Sequence, residues 1–224
     1  MEEMFDNISA KYDLLNHLFS VNIDKLWRKN AIGELKAFKP QNILDVATGT
    51  ADCAIAATRI ENVAVTGIDI SEGMLDVGRK KVERKKLTGR IELLKADSEN
   101  MQFDDNTFDA VTVGFGVRNF ENLEKGLSEI LRVLKPGGIF IVLEFSKPVK
   151  LPFKQLYYFY FTKIIPFLGR MISKDNNAYT YLPESIKTFP DGEDFIEILR
   201  KVGFIERIWY PQTLGIASVY FAQK

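Results

Sequence analysis

A single cysteine, Cys53, excludes an internal disulfide and a cysteine-based metal cluster, and a chain without such staples fits a reducing compartment. Thirty Lys and Arg balance thirty Asp and Glu, so the formal charge advertises neither nucleic acid nor an acidic partner. The run from Arg79 to Lys86 is basic, but its helical spacing reads as a solvated helix end rather than a nucleic-acid contact. No stretch of about 18 uninterrupted apolar residues occurs, and Met1 to Ala10 is acidic and mixed rather than a basic segment ahead of an apolar block. These absences predict a cytosolic protein that does not span a membrane. Repeats and low-complexity segments are also missing.

What is present is one core's worth of apolar residues, 46% of 224, which predicts a single domain with elaborations. Apolar residues at Phe5, Ile8, Tyr12, Leu15, Leu18, Ile23, Leu26 and Trp27 recur at helical spacing, predicting a helical cap over 1–38. From 39 to 147 strands and helices alternate. Strands are expected at 42–46, 64–68, 91–95, 110–115 and 139–143, with helices at 51–59, 73–86 and 123–134. That order predicts an α/β fold with a doubly wound, mostly parallel sheet. Pro136-Gly137-Gly138 is expected as a turn that ends a helix before the next strand. The alternation stops over 148–190, an aromatic insertion containing Tyr157 to Phe161. A helix at 191–202 and strands at 204–209 and 217–222 then close a seven-stranded sheet, the last two as an antiparallel edge pair.

The stretch from Asp45 to Ala51, Asp-Val-Ala-Thr-Gly-Thr-Ala, follows apolar Ile43-Leu44 and looks like a strand entering a turn that opens a helix. Such turns hold nucleotide-like ligands, and Asp69 at the tip of the next strand is placed to accept from ribose hydroxyls. A dinucleotide site would place three glycines as Gly-x-Gly-x-x-Gly, and this turn has Gly49 alone; no Gly-x-x-x-x-Gly-Lys loop for triphosphates occurs either. S-adenosylmethionine carries no phosphate, and its cationic sulfonium favours a carboxylate near the turn. Asp45, Thr48 and Gly49 are therefore expected at the methionine end, Asp69 at the ribose, and Asp97 with Ser98 at the adenine. Each acid alone could be a turn or helix cap; three at successive strand ends point to one ligand.

With these positions and the Leu134-Lys-Pro-Gly-Gly138 turn, residues 39–144 resemble class I S-adenosylmethionine-dependent methyltransferases. Tyr12-Asp-Leu-Leu-Asn16 with Ser20 and Trp27, and the stretch from Arg132 to Ser146, are similar to the paired signatures of the ubiquinone/menaquinone biosynthesis C-methyltransferases. Phe115-Gly-Val-Arg-Asn119 and Tyr179-Thr-Tyr-Leu-Pro-Glu-Ser185 also look like that family. Three positions depart from it: Asp24 stands where histidine is common, Ala51 breaks a Gly-Thr-Gly-Asp pattern, and Gly114 replaces a serine found in some members.

The resemblance implies methyl transfer to a ring carbon of a prenylated quinol without a metal, demethylmenaquinol first and a methoxy-benzoquinol of the ubiquinone route second. It implies Arg118 as the catalytic group, stabilising a phenolate or orienting a water that takes the proton, although a surface arginine pairing an acid explains the residue equally. Tyr12, Asp13, Asn16 and Asn119 are then expected to line the acceptor pocket, although packing and capping explain Tyr12 and Asp13 equally. His17, the only histidine, could serve as base, but beside Leu18 and Phe19 it reads as packed; Cys53 reads as core. The aromatic segment suggests a lid over a greasy chain, a peripheral contact at the inner face of the membrane, or ordinary helix core. Two other readings stay open: a small-molecule O- or N-methyltransferase, and a non-catalytic S-adenosylmethionine-binding component of a quinone-biosynthesis complex. Oligomeric state is not legible in the chain.

Overall fold

The computed structural model describes residues 2–6, 9, 20, 22–148, 151–160 and 176–224. Its seven strands are β1 (Asn42–Val46), β2 (Ala64–Asp69), β3 (Ile91–Lys95), β4 (Phe108–Gly114), β5 (Leu134–Phe145), β6 (Ile205–Gln212) and β7 (Ala217–Gln223). They form one sheet in the order β3-β2-β1-β4-β5-β7-β6. The pairings from β3 through β5 are parallel, and β7 runs antiparallel to both β5 and β6. The doubly wound, mostly parallel sheet expected from the alternating pattern is therefore what the chain forms.

Both faces are covered, which explains the near-continuous apolar runs of the central strands. Helices α1 (Asp24–Leu35), α2 (Asp52–Ala57) and α3 (Glu72–Arg84) lie on one face, where Trp27, Leu35, Ala54 and Leu75 share a core with Ile43 and Leu143. On the other face α4 (Leu123–Val133) and α7 (Glu193–Val202) bury Leu127, Ile130, Phe195 and Leu199 against Leu44, Val46 and Val142. Helix starts are specified locally. The Ser71 hydroxyl accepts from the Met74 amide at 3.1 Å and Asn122 accepts from Lys125 at 3.0 Å, satisfying end donors the helices cannot. The insertion contributes α5 (Phe153–Phe159) and α6 (Asn176–Thr188), and Ile186 packs with Tyr157, Tyr160, Leu182 and Phe145.

One expected boundary differs. Pro136-Gly137-Gly138 is not a separate turn between helix and strand: β5 begins at Leu134, paired with Phe108, and resumes pairing at Ile139 opposite Ala110. The three residues bulge out within the strand. Gly137, at φ 77°, supplies the left-handed backbone that the bulge requires, and the Gly137 amide donates to the Lys224 carbonyl. Among the described residues no helix is long and apolar enough to cross a membrane.

Strand order reverses between β1 and β4, so the crevice at their carboxyl ends is where this fold places a ligand. Gly114 ends β4 there, and a Cβ on it would collide with the Cys53 sulfur of α2. A serine at this position therefore forces the Cys53 sulfur to move, which a smaller residue at 53 would avoid. Gly114→Ser is expected to lose about 1–3 kcal/mol in urea unfolding through overpacking, with most of the loss recovered in the Gly114→Ser/Cys53→Ala double variant. Simple additivity of the two changes would refute the steric account.

Candidate functional site

The turn after β1 is held from below. Asp45 is wholly buried; its Oδ2 accepts from the Thr48 hydroxyl at 2.6 Å and the Ala54 amide at 3.1 Å, and its Oδ1 accepts from the Thr112 hydroxyl at 2.6 Å. One carboxylate thus joins β1, β4 and the start of α2. Burial pushes its pKa up to about 6, against the lowering effect of those three donors. Above it the chain takes left-handed conformations at Ala47, Gly49 and Ala51 (φ 52°, 55° and 67°). Only the middle residue has no Cβ, so the turn carries backbone strain at both alanines. Asp45 and Thr48 were expected to face the ligand. The structure instead turns their side chains toward each other beneath the loop, because each satisfies the other's buried polar atoms.

Asp69 does reach the cavity. Its Oδ2 accepts from the Gly49 amide at 2.8 Å and its Oδ1 from the Ser71 amide at 2.9 Å, so β2 clamps the turn and starts α3. Each oxygen keeps a lone pair for a further donor, and burial, the largest influence, raises its pKa. The cavity wall also contains Ala47, Gly49, Met74, Ala96, Ser98 and Phe115. Ser98 thus stands where an adenine edge was expected. Asp97 is absent from the wall; its carboxylate accepts from the Glu99 amide at 2.8 Å, a turn-capping contact.

Among the described residues, 14 line this cavity and Asp69 is the one charged group in that set. Among the described residues no Lys or Arg lines the wall to meet a phosphate, in keeping with the missing glycines of a dinucleotide turn. An acid at the strand tip and polar but uncharged groups beyond suit a ribose diol and a base. A Cβ at Gly49 would find no heavy atom within 4 Å, so the turn offers bare backbone to an incoming ligand. The residues present fit S-adenosylmethionine. Among those described, no group of three His, Cys, Asp or Glu could hold a metal.

At the acceptor end Asn119 lines the cavity, and its Oδ1 accepts from the Tyr181 hydroxyl of α6 at 2.8 Å. Arg118 does not line it. The Arg118 side chain is 6% exposed and pairs with buried Glu144 at 2.6 Å, while its Nη1 also donates to the Phe115 carbonyl and its Nε to the Ser185 hydroxyl at 3.3 Å. The expected direct contact with a phenolate is not the geometry found: the guanidinium is committed to Glu144, which would otherwise be an uncompensated buried charge. Tyr12, Asp13, Asn16 and His17 lie outside the described residues.

Two features were missed by the sequence reading. Phe5 lines the cavity, and Asp6 Oδ1 accepts from the Ser71 hydroxyl at 2.6 Å and the Gly73 amide at 2.9 Å, which holds the N-terminal segment on the start of α3. Negative charge is favoured there by the helix dipole, and these bonds lower the Asp6 pKa. The second feature is an ion network behind the turn, in which Arg28 pairs with Asp24 at 2.7 Å and Asp52 at 3.4 Å, and Lys81 pairs with Asp52. The spacing of Asp24 and Arg28 on α1 was the legible signal for it.

The ubiE/COQ5 methyltransferase family profile matches residues 1–224. The chain is 49% identical to a demethylmenaquinone methyltransferase of Bacteroides fragilis, covering 100% of this chain and 92% of that protein. It is 43% identical to a ubiquinone/menaquinone biosynthesis C-methyltransferase of Geobacter sulfurreducens, over 100% of this chain and 88% of the relative. A SAM-dependent methyltransferase structure from Thermotoga maritima superposes with a TM-score of 0.70 at 19% identity, with full coverage of both chains, a likeness of fold alone.

The Asp45 geometry sets a pH signature. With a folded pKa near 6 and an unfolded value near 3.9, the folded state holds a proton that the unfolded chain has already lost between those values. Its contribution to stability therefore falls as pH rises from about 4 to about 6 and is flat above, by roughly 3 kcal/mol in total. In Asp45→Asn this part of the decline should vanish from urea-unfolding free energies measured across that range; parallel profiles for both proteins would contradict it.

Proposed function

The chain belongs to the ubiE/COQ5 methyltransferase family, and from that membership we propose that it methylates a ring carbon of demethylmenaquinol, with S-adenosylmethionine as donor, in menaquinone biosynthesis. The observation that carries this reading is identity at the 49% level to a demethylmenaquinone methyltransferase across the entire chain, including the segments that build the crevice. The methoxy-benzoquinol of the ubiquinone route is the second acceptor, because the Geobacter relative's name covers both quinones.

S-adenosylmethionine supplies an electrophilic methyl group on a positively charged sulfur. Asp69 would hold its ribose hydroxyls and Ser98 its adenine edge, with the Gly49 backbone free of a side chain toward the cavity. Asn119 binds the acceptor. Its Oδ1 accepts from Tyr181, and its amide N–H groups would donate to a quinol oxygen whose charge grows as the ring carbon attacks. Arg118 is a positioning residue in this scheme. The Arg118 backbone amide donates to Glu144 Oε2 at 3.2 Å and its guanidinium to Glu144 Oε1, so the ion pair fixes the turn carrying Asn119.

The aromatic segment also supports contact with a membrane surface, where prenylated quinols reside. Phe159 is 57% exposed while Tyr157 and Tyr160 of the same segment pack inward. Phe159→Glu is expected to reduce co-sedimentation with anionic liposomes several-fold; an unchanged bound fraction would remove this contact.

Production of S-adenosylhomocysteine from S-adenosylmethionine and a short-chain demethylmenaquinol tests the reaction itself, and donor binding without turnover would favour a scaffold role. Arg118→Lys, which keeps the buried charge balanced, should fold, bind S-adenosylmethionine normally and lose kcat by tenfold or more, since lysine cannot span Glu144, Phe115 and Ser185 together. Arg118→Ala should in addition lose about 3–5 kcal/mol of stability. Full turnover by Arg118→Lys would discard the positioning role.

A further inference from the structure

A second cavity of about 520 Å³ opens farther along the ligand edge of the sheet, with Ser146, Leu151, Gly192, Trp209, Pro211 and Leu214 in its wall. Its size falls within the range of sites that enclose small organic ligands. Its wall also holds Lys147, Asp191 and Glu193, and these charged groups are engaged with protein partners. Lys147 pairs with Asp191 at 2.7 Å and donates to the Phe189 carbonyl, and Glu193 accepts from the Trp209 indole at 2.9 Å. The polar side chains of its floor bond one another, Ser218 donating to Ser146 at 2.9 Å and Ser146 to the Gly215 carbonyl. What remains for a ligand is apolar surface. Leu151 and Leu214 stand 68% and 60% exposed at its mouth, an arrangement costly to leave in water and suited to an uncharged, greasy chain.

Position selects the chain. The acceptor reading above puts the ring beside Asn119, which follows β4 and lines the first cavity. Ser146 follows β5, and Ser218 lies on its neighbour β7. Two strand spacings separate β4 from β7, about 10 Å, and the Arg118–Glu144 pair lies at the intervening strand end. That separation is short enough for an apolar extension from a head at Asn119 to span. We propose that the cavity receives the prenyl tail of the acceptor, an inference that rests on the quinol reading above.

Trp209 makes the cavity directly readable, because the only other tryptophan, Trp27, is 2% exposed in the core of the opposite face. Titration with geranylgeraniol, which has a tail but no ring, should change tryptophan fluorescence saturably in the unaltered protein and not in Trp209→Phe. Leu214→Asp puts a charge at the mouth, at a left-handed position (φ 61°) that aspartate tolerates. It should weaken geranylgeraniol binding about tenfold and lower kcat/KM for a prenylated naphthoquinol by a similar factor, leaving a tail-less naphthoquinol unaffected. An unchanged fluorescence signal, an equal effect on both acceptors, or equally tight binding of an unbranched fatty alcohol would overturn the assignment. Binding of geranylgeraniol with no methylation of either naphthoquinol would overturn the acceptor reading instead, so the two failures are distinguishable.

Discussion

The Asp45 carboxylate takes donors from Thr48, Thr112 and the Ala54 amide in a place no solvent reaches. Burying a carboxyl without such partners costs several kcal/mol, so the three donors and the acid specify one another. Their geometry brings β1 and β4 into line at the switch point, sets the start of α2 and pulls the Thr48 side chain under the turn. The loop above is then free to show backbone rather than side chains to the crevice. Asp69 completes the frame from β2 by holding the Gly49 amide. The ligand site is therefore a consequence of how two aspartates, one buried and one at the rim, divide the available donors.

Much of this was legible because the signals are periodic or local. Apolar runs marked each parallel strand, and Asp69 and Ser98 line the cavity at the ends of successive strands. The errors share a physical cause. Spacing along a strand says that Asp45 lies near the turn but not which neighbour will satisfy it, and Thr112 is 67 residues away. Arg118 shows the same limit: whether a cation near a site serves a ligand, a water or an acid depends on partners that spacing does not name, and Glu144 lies on another strand. Pro136-Gly137-Gly138 looked like punctuation because glycine and proline usually end elements, whereas here a bulge accommodates them inside β5. Ala51 shows that a family glycine can be replaced when the left-handed position is paid for elsewhere, here by the buried knot beneath it.

The Arg118–Glu144 pair gives the insertion its bearing on the site. Two of its hydrogen-bond neighbourhoods meet α6, through Ser185 to Arg118 and through Tyr181 to the adjacent Asn119. A helix inserted between the core strands and the closing hairpin is thereby tied to a three-residue turn in the crevice wall. Variation in the insertion can alter which acceptor fits while the donor side, governed by Asp45 and Asp69, stays as it is.

The reversed direction of β7 has a further effect. Because it runs against its neighbours, its first residues, Ala217 and Ser218, arrive at the ligand edge and its last residue leaves at the opposite one. There Lys224 is anchored, its amide donating to the Gly138 carbonyl and its ammonium to Asn106 and the Arg132 carbonyl. Anything attached beyond Lys224, whether a fluorophore, a tether to a surface or a fused partner, departs from the side of the sheet farthest from the chemistry and leaves both cavities open to approach.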